Sequence, residues 1–193
     1  MNFKDWNANY WNKGNPKGDC VIRALCRTTL YGYKYLCDAL GAGDDFIMGA
    51  GFMGGFDLGQ IDDFAKKSGL IVKITSDNEF TEDDVALSYA DLKLLRKMAA
   101  RKGVNRTASF MFTLVGDGEN GKWQHATAFI KKGEDLEHVD VSACQDSIYA
   151  VPTAIYAIPL DKVCPRDNPN RYENERKRIL TEWTREIMAK KGK

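Results

Sequence analysis

A chain of 193 residues with 44% hydrophobic and 28% charged side chains has the length of one ordinary domain and the make-up of a packed globular protein. Its 28 basic and 27 acidic side chains leave a formal net charge of +1, so no whole-molecule field argues for a nucleic-acid or membrane partner. No stretch approaches the ~20 apolar residues that cross a bilayer, and Met1 to Gly18 lacks the apolar core of a signal peptide.

These features predict a cytoplasmic protein. Five cysteines (20, 26, 37, 144 and 164) are odd in number and irregular in spacing, which predicts reduced thiols rather than an extracellular disulfide framework. With no C-x-x-C pair and two histidines, neither a structural zinc site nor any other cofactor is expected.

Residues 1–18 read as a polar, aromatic loop closing on Asn15-Pro16-Lys17-Gly18. Asp19 reads as an N-cap, with a helix from Cys20 to about Leu30 and a second over Tyr33–Leu40. Seven glycines between 41 and 59 predict a loop of tight turns, a candidate cover for a cleft. Within it, Gly49-Ala50-Gly51-Phe52-Met53-Gly54 fits the dinucleotide-binding spacing but lacks the preceding buried strand that the motif needs. Gln60–Lys67 predicts a helix stopped by Gly69. The pair Asp62-Asp63 is put down to helix-start preference.

Leu70–Thr75 reads as a strand, and a helix opens on Thr81-Glu82-Asp83-Asp84 and closes at Arg101-Lys102-Gly103. The hydrophobic period then changes to two. Ala108–Val115, Trp123–Lys131, Leu136–Ser142 and Ala154–Leu160 read as strands, with hairpin connections at Asp117-Gly118 and Lys132-Gly133-Glu134. Helices first and antiparallel strands later predict an α+β fold, N-terminal helices packed on a C-terminal antiparallel sheet. The domain is expected over 1–164. Residues 165–193 form a basic tail, net +4 from Arg166 on, predicted as an amphipathic helix docked through Leu180, Trp183 and Ile187.

One constellation carries chemistry. A thiol is a strong nucleophile as thiolate, and a helix N-terminus favours that form. Cys20 is predicted at the first helical position, sharing a polar side with Arg23 and Arg27, while Cys26 points to the core. An Asp19 cap would oppose the thiolate. Of the two histidines, His125 near the start of a strand is the candidate base, on one face with Thr127 and Phe129. His138 reads as a solvated strand residue. Asp140, on the next strand, would orient the imidazole, with Asp146 a weaker choice.

The run Asn15-Pro16-Lys17-Gly18-Asp19-Cys20-Val21-Ile22-Arg23-Ala24-Leu25 resembles the nucleophile helix of small papain-like cysteine peptidases related to bacteriocin-processing enzymes, which recur in bacteria and bacteriophages. His125-Ala126-Thr127-Ala128-Phe129-Ile130 and Val139-Asp140-Val141-Ser142 follow in the same order, so the resemblance spans most of 14–142. It implies a Cys20–His125–Asp140 triad acting on a protein or peptide substrate, in a host cytoplasm if the chain is phage-encoded.

Papain-like enzymes commonly place a Gln a few residues before the Cys as oxyanion donor. This sequence has none there, and Asn15, or else Asn12 or Gln124, would have to serve. Two other readings stand beside the hydrolase. One is a papain-like scaffold that binds or inhibits a host protein without turnover; the other is metal ligation by Cys20, His125 and Asp140.

Overall fold

A computed structural model of the chain describes residues 19–41, 56–75, 91–118, 121–139 and 151–191. The elements in order are α1 (Cys20–Thr29), α2 (Tyr33–Ala39), α3 (Leu58–Ser68), β1 (Val72–Lys73), α4 (Leu92–Arg101), β2 (Thr107–Gly118), β3 (Gly121–Lys132), β4 (Asp135–Val139), β5 (Val151–Pro159), a 3-10 turn (Leu160–Lys162) and α5 (Tyr172–Lys191). The fold is α+β. Among the described residues five strands form one sheet in the order β1-β5-β2-β3-β4, with every neighbouring pair antiparallel.

The sheet is sandwiched. Alternation along each strand sends Met111, Ala126, Ala128, Ala154, Tyr156 and Ile158 to one face, where they pack with Val21, Ile22 and Leu25 of α1 and with residues of α2, α3 and α5. Phe110, Phe112, Leu114, Phe129, Ile155 and Ala157 go to the other face and meet Leu92, Leu95 and Ala99 of α4. Small side chains at 126 and 128 let the α1 backbone approach β3 closely. A sheet buried on both faces explains why its central strands carry few charges.

The ends of the elements follow local chemistry. Asp57 and Gln60 form a reciprocal capping box at the start of α3, and Gly69, at φ +62°, closes it in the left-handed conformation glycine tolerates. The helix thus begins before the expected Gln60. Gly133, at φ +64°, turns the β3–β4 hairpin between the paired Lys132 and Asp135, as the sequence predicts. β2 and β3 pair out to Gly118 and Gly121, so Asp117-Gly118 lies within the ladder and is not its turn.

Several expectations are corrected. The strand at Leu70–Thr75 shrinks to Val72 and Lys73, which pair with β5 at the sheet's edge. Asp62 is no helix-start residue: it sits inside α3 and accepts from the Tyr156 hydroxyl at 2.7 Å and Lys73 Nζ at 2.9 Å. α5 docks through Glu175 and Ile179, both buried, whereas Ile187 and Met188 further along are exposed. The first turn sits against the body because Tyr172 N–H donates to the carbonyl of Leu30. α4 ends as expected at Arg101 but starts only at Leu92: Asp91, at φ −102° and ψ 86°, accepts from the backbone N–H groups of Lys93 and Leu94 and caps it there, so the helix expected to run from 81–84 to 101 is not one element. Residues 81–84 themselves, the glycine motif at 49–54 and most of the 41–59 loop lie outside the described residues.

Candidate functional site

Cys20 is the first residue of α1 and is partly exposed. The other described cysteines, 26, 37 and 164, are buried and unpaired, so three of the four behave as small hydrophobes. Burial pushes the thiols of Cys26 and Cys37 well up, with Glu175 and Asp38 respectively the next largest contributors. It pushes Cys164 up to about 11. Cys144 lies outside the described residues.

Asp19 precedes α1, but its side chain does not cap the helix. Its Oδ2 accepts from Arg23 Nε at 2.7 Å and from the Tyr33 hydroxyl at 3.0 Å. Asp19 and Arg23 are each 1% exposed. The expected polar side of α1, shared by Cys20, Arg23 and Arg27, is therefore largely interior. Its charge is an internal ion pair, not a solvent-facing field around the thiol. Two consequences bear on Cys20. Arg23 neutralises the carboxylate that would oppose a thiolate next door. The first backbone N–H that closes onto the helix is that of Arg23, onto the Asp19 carbonyl, which leaves the amides of residues 20–22 ahead of the intrahelical ladder.

Ser109 Oγ donates to the Thr28 carbonyl at 2.9 Å, and Ser109 pairs with Ile130 across β2–β3. The far end of α1 is thus anchored at the Ile130 end of β3. Eight residues back along the helix is about 12 Å, the length of roughly three to four strand residues. Because α1 overlies Ala128 and Ala126, Cys20 arrives at the end of the sheet that carries Gln124 and His125.

His125 is 7% exposed and pairs with Leu114. The unbroken β2–β3 register puts it on one face with Leu114, Thr127 and Phe129. The same alternation, foreseen along this strand, sends Ala126 and Ala128 to α1. Cys20 and His125 therefore share an end of the sheet but stand toward opposite faces. Gln124 is exposed and lies on the α1 side with Ala126. His138 is half-buried instead of solvated. Its Nε2 is 2.8 Å from Thr127 Oγ1, and its ring stacks on Phe129 at a centroid distance of 4.8 Å. Asp140, Asp146, Asn15 and Asn12 lie outside the described residues. Among the described residues no three His, Cys, Asp or Glu side chains gather as a metal site.

Sequence reasoning missed the part played by Asp19, Arg23 and Tyr33 beneath the thiol. The signal was present as an Asp–Arg pair four residues apart, the spacing at which helical side chains meet.

No family model matches the chain, and neither a curated protein nor a solved structure does. Among the described residues no helix is long and apolar enough to cross a membrane.

Proposed function

We propose that the protein is a papain-like cysteine hydrolase that cleaves a peptide, isopeptide or side-chain amide bond. The observation that carries this reading is Cys20 itself: a partly exposed thiol at the first position of a helix, while the other described thiols are buried.

In this reading the Cys20 sulfur attacks the substrate carbonyl and forms a tetrahedral oxyanion. Amide hydrogens at the start of α1, with Gln124 or Asn15, stabilise that charge. His125 takes the thiol proton and delivers it to the departing amine, leaving an acyl-enzyme. It then draws a proton from the water that hydrolyses the thioester. Asp140 holds the imidazole in the working tautomer.

A second reading, a binding scaffold without turnover, has one specific observation behind it. The strand register directs His125 to the face away from α1, and His138 is held on that same face by Thr127 and Phe129.

The deciding measurement is iodoacetamide labelling of each cysteine, read by peptide mass spectrometry, in wild type and His125→Ala. Faster labelling of Cys20 than of Cys26, Cys37 and Cys164, with the advantage lost in His125→Ala, supports the hydrolase. A Cys20 rate indifferent to His125 favours the scaffold, and partner capture by Cys20→Ala then becomes the assay.

A further inference from the structure

At the opposite end of the sheet from Cys20, a cavity of about 590 Å³ opens between the turn after α4 and the turn after β5. Val72, Val104 and Leu160 supply apolar wall, and Lys102, Arg106 and Lys162 supply positive charge. A second cavity of about 270 Å³ adjoins it, sharing Val104, Arg106 and Leu160 and adding Arg96 and Lys131. Among the described residues five cations thus line the pair against one carboxylate, Asp161, in a chain whose net charge is +1. Arg96 is paired with exposed Glu134, and Lys162 stands 3.9 Å from Asp161. Lys102, Arg106 and Lys131 have no carboxylate partner among the described residues. Leu160, an exposed leucine, stands between the two cavities.

We propose that this double cavity binds a nucleotide, with its ring in the larger chamber and its phosphates in the smaller. The larger chamber falls within the usual range for small-molecule sites, about 300–1,000 Å³, and has their composition, apolar wall with a few placed polar groups. A flat ring against Val72, Val104 and Leu160 removes that apolar surface from water. Arg106, common to both chambers, is placed to take the first phosphate, and its planar fork suits phosphate oxygens in pairs. Arg96 and Lys131 then meet a second phosphate. Asp161, the one carboxylate among the described lining residues, fits sugar hydroxyls or a ring amino group. Two adjoining cationic chambers match linked anions better than a lone carboxylate. The same nucleotide unit can arrive free or as part of a single strand.

The test is titration calorimetry of the full chain at low salt with ADP, adenosine, a thymidine oligomer of about ten nucleotides and polyglutamate. The proposal expects saturable ADP binding with a dissociation constant of about 1 mM or tighter, weakened about tenfold by loss of the phosphates in adenosine. Arg106→Glu and Lys102→Glu, both at exposed positions, should each weaken ADP about tenfold or more with an unchanged circular dichroism spectrum. An oligomer binding more tightly than ADP assigns the nucleotide to a strand; equal or weaker binding assigns it to a free ligand. The proposal is overturned if ADP gives no saturable heat, if neither variant weakens it, or if polyglutamate binds as tightly as ADP.

Discussion

Glu175 of α5 accepts the backbone N–H of Tyr33 at 2.6 Å through Oε2, and its Oε1 accepts that of Lys34 at 3.0 Å. The N-cap position of α2 is Gly32, which has no side chain to offer, so the C-terminal helix supplies the cap from 142 residues away in sequence. Removing it leaves one buried amide and one part-buried amide without their acceptor. Glu175→Ala should cost about 2–4 kcal/mol, read as a lower urea midpoint with an unchanged m-value. A loss below about 0.5 kcal/mol would mean that α5 is not coupled to the N-terminal helices.

The same carboxyl sets a pH dependence. Burial raises it from its ordinary 4.5 to about 7, against the amides of Lys34 and Tyr33 and the charges of Arg178 and Lys34, which hold it down. The folded state therefore holds this proton more tightly than the unfolded chain does. Its contribution to stability is complete below the unfolded value and is lost as pH rises through about 7. Urea unfolding should show a decline of up to about 3 kcal/mol between about pH 4 and pH 8, and Glu175→Gln should remove most of that slope. An equal slope in the variant would assign the titration to another group.

Gly32 lies against Glu175 of α5. A Cβ built there would fall against Glu175 Oε2, with Cδ at 2.7 Å and the Asn170 carbonyl at 3.2 Å. Gly32→Ala should therefore destabilise by about 1–3 kcal/mol. Its cost should shrink in a Glu175→Ala background, since the obstructing side chain is then gone. Additivity of the two changes in a double-mutant cycle would rule out that contact as the cause.

How much of this could be read from the sequence depended on whether a residue's role was local. The β2–β3–β4 meander was legible from alternation alone, and so was the Gly133 turn, because period two and a positive-φ glycine are properties of neighbouring residues. Gly69 as a helix stop was legible for the same reason. Arg23 was not. A helical wheel sorts it with solvent-facing charges, and its burial depends on Asp19 and on Tyr33, which a turn of chain brings back beside α1. Glu175 likewise reads as a solvated charge on a basic tail until α2 is placed beneath it.

In the candidate site the sequence placed Cys20 correctly at the first position of α1, and it foresaw which residues share the face of His125. The small residues beside His125 were not legible in the same way: Ala126 and Ala128 make room for α1. That relation between a helix and a sheet face is tertiary, and no pattern along either element encodes it.

The pair beneath the thiol yields the last prediction. Asp19 and Arg23 are buried together, and the Tyr33 hydroxyl shares the carboxylate; burial, and then the Asp19 charge, raise the Tyr33 phenol far above its ordinary range. A buried pair adds little net stability, because desolvation offsets attraction, but breaking one side leaves a charge in the interior. Arg23→Met should therefore cost about 3–5 kcal/mol. The double change Asp19→Asn with Arg23→Met should recover part of that loss, since no charge is then stranded. The two outcomes are separable by urea unfolding. A double variant no more stable than Arg23→Met would mean that shape and hydrogen bonding around the guanidinium, not charge, hold the start of α1. If charge is the cause, iodoacetamide should also label Cys20 more slowly in Arg23→Met than in wild type, because Asp19 would then face the thiolate without its counter-ion.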